Sequence, residues 1–394
     1  YVFNYQQNIF IIISNSRYLL MAILMAGWII PVEAKAPDSS TKEKPAFKIG
    51  GALRFNYNYS DWKSGCRKRG GDFGFDVFRL NVDASCRKFL LSADYRFYPS
   101  SSGGGMLRQG WLGYQFNENH QLQMGLVTVP FGILPYTANN YFFNIQYYVG
   151  LEDDADMGLK YIFRNRQWEV QAAFFKNSGL TDFGDKSELT ADRYSYDIAG
   201  DHKEVNQGNI HAAYRWGNKW KHQAGASILA GGVYNLNSGS MGHRWAATLH
   251  YVLDYKRWNF KAQCATYNIH LTGEATDTRH QVTMAAFGAT YQVASKADIY
   301  SVALAYHIPI RKGFLDEICL YNDFSLLHKR VRGYTDSFQN VTGCSLSMGP
   351  VFVYVDYAVG HNHAWIGNDW NNAFAQSSDN ATNVRLNINM GYYF

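Results

Sequence analysis

The stretch Val384-Arg385-Leu386-Asn387-Ile388-Asn389-Met390-Gly391-Tyr392-Tyr393-Phe394 alternates without a break. Val384, Leu386, Ile388, Met390, Tyr392 and Phe394 share one parity, and Arg385, Asn387, Asn389, Gly391 and Tyr393 share the other. A β-strand sends successive side chains to opposite faces, so this strand has one apolar and one polar face. A soluble sandwich strand can alternate in this way, but so can a strand with lipid on one side and water on the other. The remainder of the chain decides between them.

The same pattern resembles the C-terminal assembly signal of bacterial outer-membrane β-barrels, in which a terminal Phe follows apolar residues at every second position. That resemblance assigns Tyr392 and Phe394 to assembly and implies the barrel-assembly machinery as a partner. Composition agrees with strands. Tyr, Phe and Gly are abundant and Pro is scarce in the 394 residues, a balance that favours sheet over helix. The mean hydropathy of −0.30 looks soluble. Barrels hide from hydropathy averages, because only alternate residues need be apolar. A formal net charge of +5 without long like-charged blocks argues against a nucleic-acid-binding tail. Cys66, Cys86, Cys264, Cys319 and Cys344 contain no C-x-x-C pair, which argues against a zinc knuckle or a redox motif.

Residues 1–36 read as a signal segment with a possible upstream extension. Arg17 precedes the apolar run Tyr18–Ile30, and Val32-Glu33-Ala34 and Ala34-Lys35-Ala36 offer small-residue cleavage sites. Residues 37–46 are a polar lead. From 47 to 394 the chain repeats short alternating runs. In the first, Phe47, Ile49, Leu53, Phe55, Tyr57 and Tyr59 oppose Lys48, Arg54, Asn56 and Asn58. Seventeen such runs can be marked, including one over His280–Val293. A single-chain bacterial barrel requires an even number. The expectation is therefore sixteen strands, with eighteen as the alternative, and the surplus run is expected between His280 and Leu327. Short connections alternate with long ones such as 60–72, 130–156, 177–207 and 361–382, as in barrels with tight periplasmic turns and long outer loops. Trp62, Tyr98, Trp168, Trp216, Trp220, Tyr255 and Trp258 lie near strand ends and suggest two interfacial girdles.

One stretch is more specific. Met124-Gly125-Leu126-Val127-Thr128-Val129-Pro130-Phe131-Gly132 runs out of a strand into a connection that closes on Glu152-Asp153-Asp154-Ala155-Asp156. A strand entering Pro-Phe-Gly, then a long loop and a return strand, resembles the phosphate-selective porin O and P family, over roughly residues 47–394. The resemblance implies an all-β transmembrane antiparallel barrel in the outer membrane, a homotrimer, and a third long loop (130–156) folded inward. Pro130, Phe131, Gly132, Glu152, Asp153, Asp154 and Asp156 belong to that constriction loop. Parity turns Lys48, Arg54, Arg79, Asp83, Asp94, Arg96 and Arg385 toward the pore, and leaves Arg108 ambiguous. Phosphate selectivity calls for cations without competing carboxylates, and acidic residues share these faces. The function expected is passive diffusion of small hydrophilic solutes or ions through a charged constriction, with at most weak anion selectivity.

Other classes fit less well. A lipase-like barrel hydrolase needs an activated Ser with a His partner, and no Gly-x-Ser-x-Gly occurs. A secreted β-sandwich binding protein has no reason to alternate its connection lengths. Calcium binding at Glu152–Asp156 lacks the spaced acidic pattern and turn Gly of a calcium loop, and His361-Asn362-His363 shows no third ligand. No cofactor, metal or catalytic residue is expected. The partners expected are outer-membrane lipid and small solutes or anions, not nucleic acid.

Overall fold

The computed structural model describes residues 45–179, 193–273 and 279–394. The stretch expected to be a signal segment, and most of the expected polar lead, lie outside them. Among the described residues nineteen strands follow one another: β1 (Ala46–Ser60), β2 (Asp72–Cys86), β3 (Phe89–Phe97), β4 (Gly105–Asn117), β5 (His120–Thr128), β6 (Ala155–Arg164), β7 (Trp168–Asn177), β8 (Asp197–Ile198), β9 (His202–Trp216), β10 (Trp220–Asn235), β11 (Met241–Tyr255), β12 (Trp258–His270), β13 (Gln281–Ala286), β14 (Ala289–Ala294), β15 (Lys296–Lys312), β16 (Leu315–Lys329), β17 (Ser337–Met348), β18 (Val351–His361) and β19 (Thr382–Tyr393). Sixteen of them close an antiparallel barrel, and β8, β13 and β14 form a separate small sheet.

The barrel closes where β19 lies antiparallel to β1, from Ala52 opposite Tyr393 to Ser60 opposite Arg385. Backbone bonds between Gly51 and Phe394 extend the seam, with the Gly51 N–H donating at 2.9 Å and the Phe394 N–H at 3.1 Å. A Cβ on Gly51 would fall 2.6 Å from the Phe394 ring and 2.2 Å from the Arg79 carbonyl oxygen. The aromatic ring thus covers a glycine that leaves room for it. Deleting Phe394 removes two seam hydrogen bonds, about 2 kcal/mol at the usual net value. The fraction of protein migrating as a folded, heat-modifiable band is expected to fall; an unchanged fraction would show that the seam closes without it.

Alternation explains the wall. Phe47 and Ile49 are each 70% exposed and Leu249 is 69% exposed, with Phe89, Leu112, Met124, Ile210 and Ile228 also exposed on the outside. Soluble monomers rarely expose so many large apolar side chains together, and the belt suits a lipid-facing barrel. Inward positions are polar or small: Ser92, Gln123, Gln171, His211, Thr248, Gln263, Ser301, Gln339, Asn387 and Asn389 are buried. One rim carries seven tight turns, and the other carries every long loop. At the tight-turn rim Trp168 meets Tyr214 at 4.7 Å, Trp220 stacks on Tyr255 at 3.7 Å, and Trp258 meets Tyr306 at 4.6 Å. This is one girdle. Trp62 and Tyr98 do not join a second one: Trp62 packs on a cluster of Phe142, Val341 and Ile366, and Tyr98 edges onto Phe287.

The surplus run lies where it was expected. His280–Val293 is not a barrel strand but the hairpin β13–β14, which pairs with β8. Phe287 and Gly288 both have positive φ, at 52° and 75°, the geometry of a tight two-residue hairpin turn. Val282, Met284, Tyr291 and Val293 bury their side chains against Ile145, Tyr148 and Leu151 of the connection between β5 and β6. β9 also begins earlier than expected, at His202 rather than Asn209. A bulge at Asn206, whose φ is 53°, interrupts the alternation there.

Candidate functional site

The connection between β5 and β6 spans 129–154 and folds into the barrel. Gly132 has a φ of 69°, and any Cβ there would meet the Gln263 amide at 2.4 Å. Its N–H donates to Ser227 Oγ at 3.1 Å, and the next N–H, of Ile133, donates to Gln263 Oε1 at 2.8 Å. The Pro-Phe-Gly turn therefore docks on β10 and β12, four and six strands round the barrel from β5, where the loop leaves the wall. Further on, Asp323 of β16 accepts from the Asn139 N–H at 2.6 Å, from Asn139 Nδ2 at 2.8 Å and from Asn140 Nδ2 at 2.7 Å. The Tyr141 N–H donates to Asp356 of β18 at 3.1 Å, and the Tyr141 hydroxyl to Asp76 of β2 at 3.1 Å. A helical turn, Ile145–Tyr148, then leads the chain back.

Replacing Asp323 with Ala strands three donors in a buried setting. Bonds to a charged group contribute roughly 1.5–3 kcal/mol each, so this segment is expected to detach. Greater open-channel noise and conductance in a planar bilayer would register the change; wild-type traces would mean the other anchors suffice.

Between the loop and the β1–β4 side of the wall lies a cavity of about 480 Å³. Five arginines line it, Arg54, Arg79, Arg96, Arg108 and Arg385, with three carboxylates, Asp76, Asp94 and Asp153, a net charge of +2. Arg54 pairs with Asp76 at 2.9 Å, Arg96 with Asp94 at 3.0 Å, and Arg108 with Asp153. Arg79 and Arg385 make no ion pair among the described residues. Arg385 is held by Asn58 Oδ1, 2.8 Å from its Nη2, while Arg79 Nε finds no partner. Arg79 stands directly opposite Arg96 in the β2–β3 register, a like-charge pair that is unfavourable by itself and concentrates positive potential.

Aromatic rings face these cations. Arg96 lies 4.5 Å from the Tyr194 ring centre, Arg385 5.4 Å from Phe142, Arg54 5.7 Å from Tyr141, Arg108 5.7 Å from Tyr194 and Arg79 5.8 Å from Tyr393. Each is within reach of a cation–π attraction, which steadies a guanidinium without occupying its N–H donors. Burial raises the phenols of Tyr141, Tyr147, Tyr194 and Tyr196 above their usual range, so this face is neutral.

Arg54, Arg79, Asp94, Arg96, Arg385 and Asp153 thus meet in one cavity. Lys48 and Asp83 sit opposite each other near the tight-turn rim and do not line it. The acidic loop end divides. Asp153 bonds Arg108 and accepts from the Tyr194 hydroxyl at 2.6 Å. Glu152 turns back into its own loop, accepting from Asn144 Nδ2 at 2.8 Å and the Thr137 N–H at 3.2 Å, and burial pushes its carboxyl up to about 7. Asp154 and Asp156 face elsewhere, and Asp156 already belongs to β6. Arg108 is the extra residue of a bulge in β4 opposite Asp94 and Tyr95, which is why parity leaves it ambiguous. His363, buried beside Tyr148, has its imidazole pushed down to about 3 by desolvation and donates from Nε2 to Gln339 Oε1 at 2.8 Å. That is the role of a satisfied core histidine.

A second cavity, of about 660 Å³, is lined by Arg108, Lys160, Arg164 and Arg215 against Glu169, together with Gln121, Gln123, Gln171 and Gln223. Glu169 is clasped by Arg164 at 2.8 Å and by Arg215. Both cavities therefore carry an excess of cations.

No protein-family model matches the chain, and no curated protein matches it. Solved structures do. The chain is similar to the outer membrane channel DcaP of Acinetobacter baumannii, with 13% identity, a TM-score of 0.58, and 90% of this chain and 99% of that chain covered. It is similar to OmpT of Vibrio cholerae, expressed in the outer membrane, with 14% identity, a TM-score of 0.56, and coverage of 90% and 99%. It is also similar to an anion-selective porin from Comamonas acidovorans, with 9% identity, a TM-score of 0.56, and coverage of 89% and 100%. At these identities the likeness is one of fold: the closed barrel of outer-membrane proteins. These likenesses do not single out the narrower kinship with phosphate-selective porins.

Proposed function

We propose that the chain is a porin of the bacterial outer membrane, a passive channel for small hydrophilic solutes with a preference for anions. One observation carries this reading: Arg79 and Arg385 present cations without carboxylate partners in the cavity beside the inward loop, where the net charge is +2. Low-dielectric walls focus the potential of such a group and raise the local concentration of counter-ions. The aromatic face favours solutes whose flat parts can lie against Tyr and Phe while an anionic group meets the guanidiniums. The ion pairs of Asp76, Asp94 and Asp153 cancel much of the field. Preference is therefore weak compared with a site built of uncontested cations, and inorganic phosphate gains no special standing.

In this reading the tight-turn rim is periplasmic, lipid meets the apolar belt, Tyr392 and Phe394 serve barrel assembly, and three copies associate. The outer-membrane likeness in fold, including that to a channel and to an anion-selective porin, supports the class and not the solute. The test is reconstitution in a planar bilayer. Open channels are expected, with a reversal potential in a potassium chloride gradient on the chloride-permeable side. Protein that inserts without conducting would defeat the porin reading, and a potential on the potassium side would defeat the anion preference alone.

A further inference from the structure

Outside the arginine-lined cavity, three carboxylates converge where the inward loop rejoins the wall. Asp154 ends the loop, Asp156 is the second residue of β6, and Asp197 comes from β8, far off in sequence. One oxygen from each lies within 4.8 Å of the others. All three residues are buried, with exposures of 5%, 1% and 0%. Oδ1 of Asp154, Oδ1 of Asp156 and Oδ1 of Asp197 accept no hydrogen bond. Buried carboxylate oxygens without partners are costly, so three together call for compensation by protons or by a cation.

Neighbouring cations do not suffice. Asp197 is paired with Arg193 at 3.1 Å. Glu204 accepts from the Ile198 N–H at 3.0 Å and pairs with Arg244. Among the described residues, four ionised carboxylates against two guanidiniums leave a charge of −2. Calcium binds oxygen at about 2.3–2.6 Å, so two ligands of one ion stand at most about 4.6–5.2 Å apart. The observed spacing fits within that limit. Soft metals want thiolate or imidazole, and the three converging ligand atoms are all carboxylate oxygens.

We propose that Asp154, Asp156 and Asp197 bind one hard divalent cation of the calcium class. The ion ties the return of the inward loop to β8 and neutralises the cluster. It also has a place beside the channel, because Asp153, the residue before Asp154, holds Arg108 from a backbone with positive φ. The site does not depend on what the barrel transports. Its ligands come from two distant stretches, and for that reason the spacing within Glu152–Asp156 shows no calcium-loop pattern.

The test uses the full chain folded in detergent micelles, stripped with chelator at neutral pH and titrated with calcium chloride by calorimetry. One ion per chain is expected, with a calcium-dependent rise in unfolding temperature. Magnesium is expected to bind more weakly, since it demands near-ideal octahedral geometry. The double variant Asp154→Asn with Asp197→Asn should lose roughly tenfold or more in affinity, because ligand charge tunes calcium affinity. Should that variant fail to fold, terbium luminescence on the unaltered protein, sensitised through tyrosine, reads the same site: displacement by calcium and not by potassium supports it. No saturable calcium binding, binding unchanged in the folded variant, or terbium that calcium cannot displace would each overturn the proposal. Protonated carboxylates satisfying one another would give the first of these results.

Discussion

Converting Arg79 and Arg385 together to Glu is expected to reverse the ion preference of the channel. These two arginines account for the whole net charge of +2, because Arg54, Arg96 and Arg108 are each matched by a carboxylate. Arg79→Glu alone brings the cavity to zero, and the pair brings it to −2. Reversal potential in a potassium chloride gradient should fall toward zero in the single variant and change sign in the double. The shift should be largest at low salt and shrink toward 1 M, where the screening length is about 3 Å. Lys48→Glu makes the control. Lys48 lies near the tight-turn rim, outside the cavity, and a bulk surface-charge effect would move it equally. If Lys48→Glu shifts the potential as much as Arg79→Glu does, selectivity is not set beside the inward loop.

Side-chain parity in the wall is legible in the sequence because two solvents impose it. Lipid outside and a polar interior force β1 and β19 to alternate over most of their length, and a slip of one residue would exchange the faces. That is why Arg54, Arg79, Asp94, Arg96 and Arg385 can be placed on the inner face from spacing alone. Legibility fails wherever the backbone departs from period two. The bulge opposite Asp94 and Tyr95 hides the orientation of Arg108, and the bulge at Asn206 hides the first turn of β9. It fails again where a hairpin alternates like a wall strand. β13–β14 differs from a barrel strand in its Phe287-Gly288 turn, which halves the run, and Gly288 is the visible hint.

The cavity beyond its arginines is less legible. Tyr136, Tyr141, Tyr147, Tyr194 and Tyr196 come from loops, where no periodicity indicates direction, and they meet the arginines through contacts distant in sequence. Asp323 and Asp356 look like ordinary inward strand residues until the loop they anchor is folded against them. The acidic loop end is the plainest case. Four acidic residues lie within Glu152–Asp156, yet one bonds Arg108, one folds back on Asn144, and two face Asp197. Local composition gives their number but not their division, which is decided by the β8–β13–β14 sheet.

Leu249→Arg is expected to lower barrel stability by about 2–4 kcal/mol, the cost of an arginine on the lipid face near the bilayer midplane. Leu249 lies near the middle of β11 and opposite Cys264 on β12, and its side chain points outward. The tight-turn end of the same strand carries Tyr255, stacked on Trp220 in the aromatic girdle. Six residues separate Leu249 from that girdle, roughly 15 Å of depth for a strand rising about 3.4 Å per residue at a tilt near 40°. Since the apolar band is about 25 Å tall, this puts Leu249 close to its centre. Met241, at the other end of β11 and also exposed outward, falls beyond the band on the same geometry. Met241→Arg is therefore expected to cost about 0–1 kcal/mol. The measurement is the urea midpoint of protein folded into lipid vesicles, followed by Trp fluorescence. A large loss for Leu249→Arg with little for Met241→Arg requires a depth-dependent apolar solvent around the barrel. Equal small effects would mean that water surrounds the belt, and the membrane reading would fail with it.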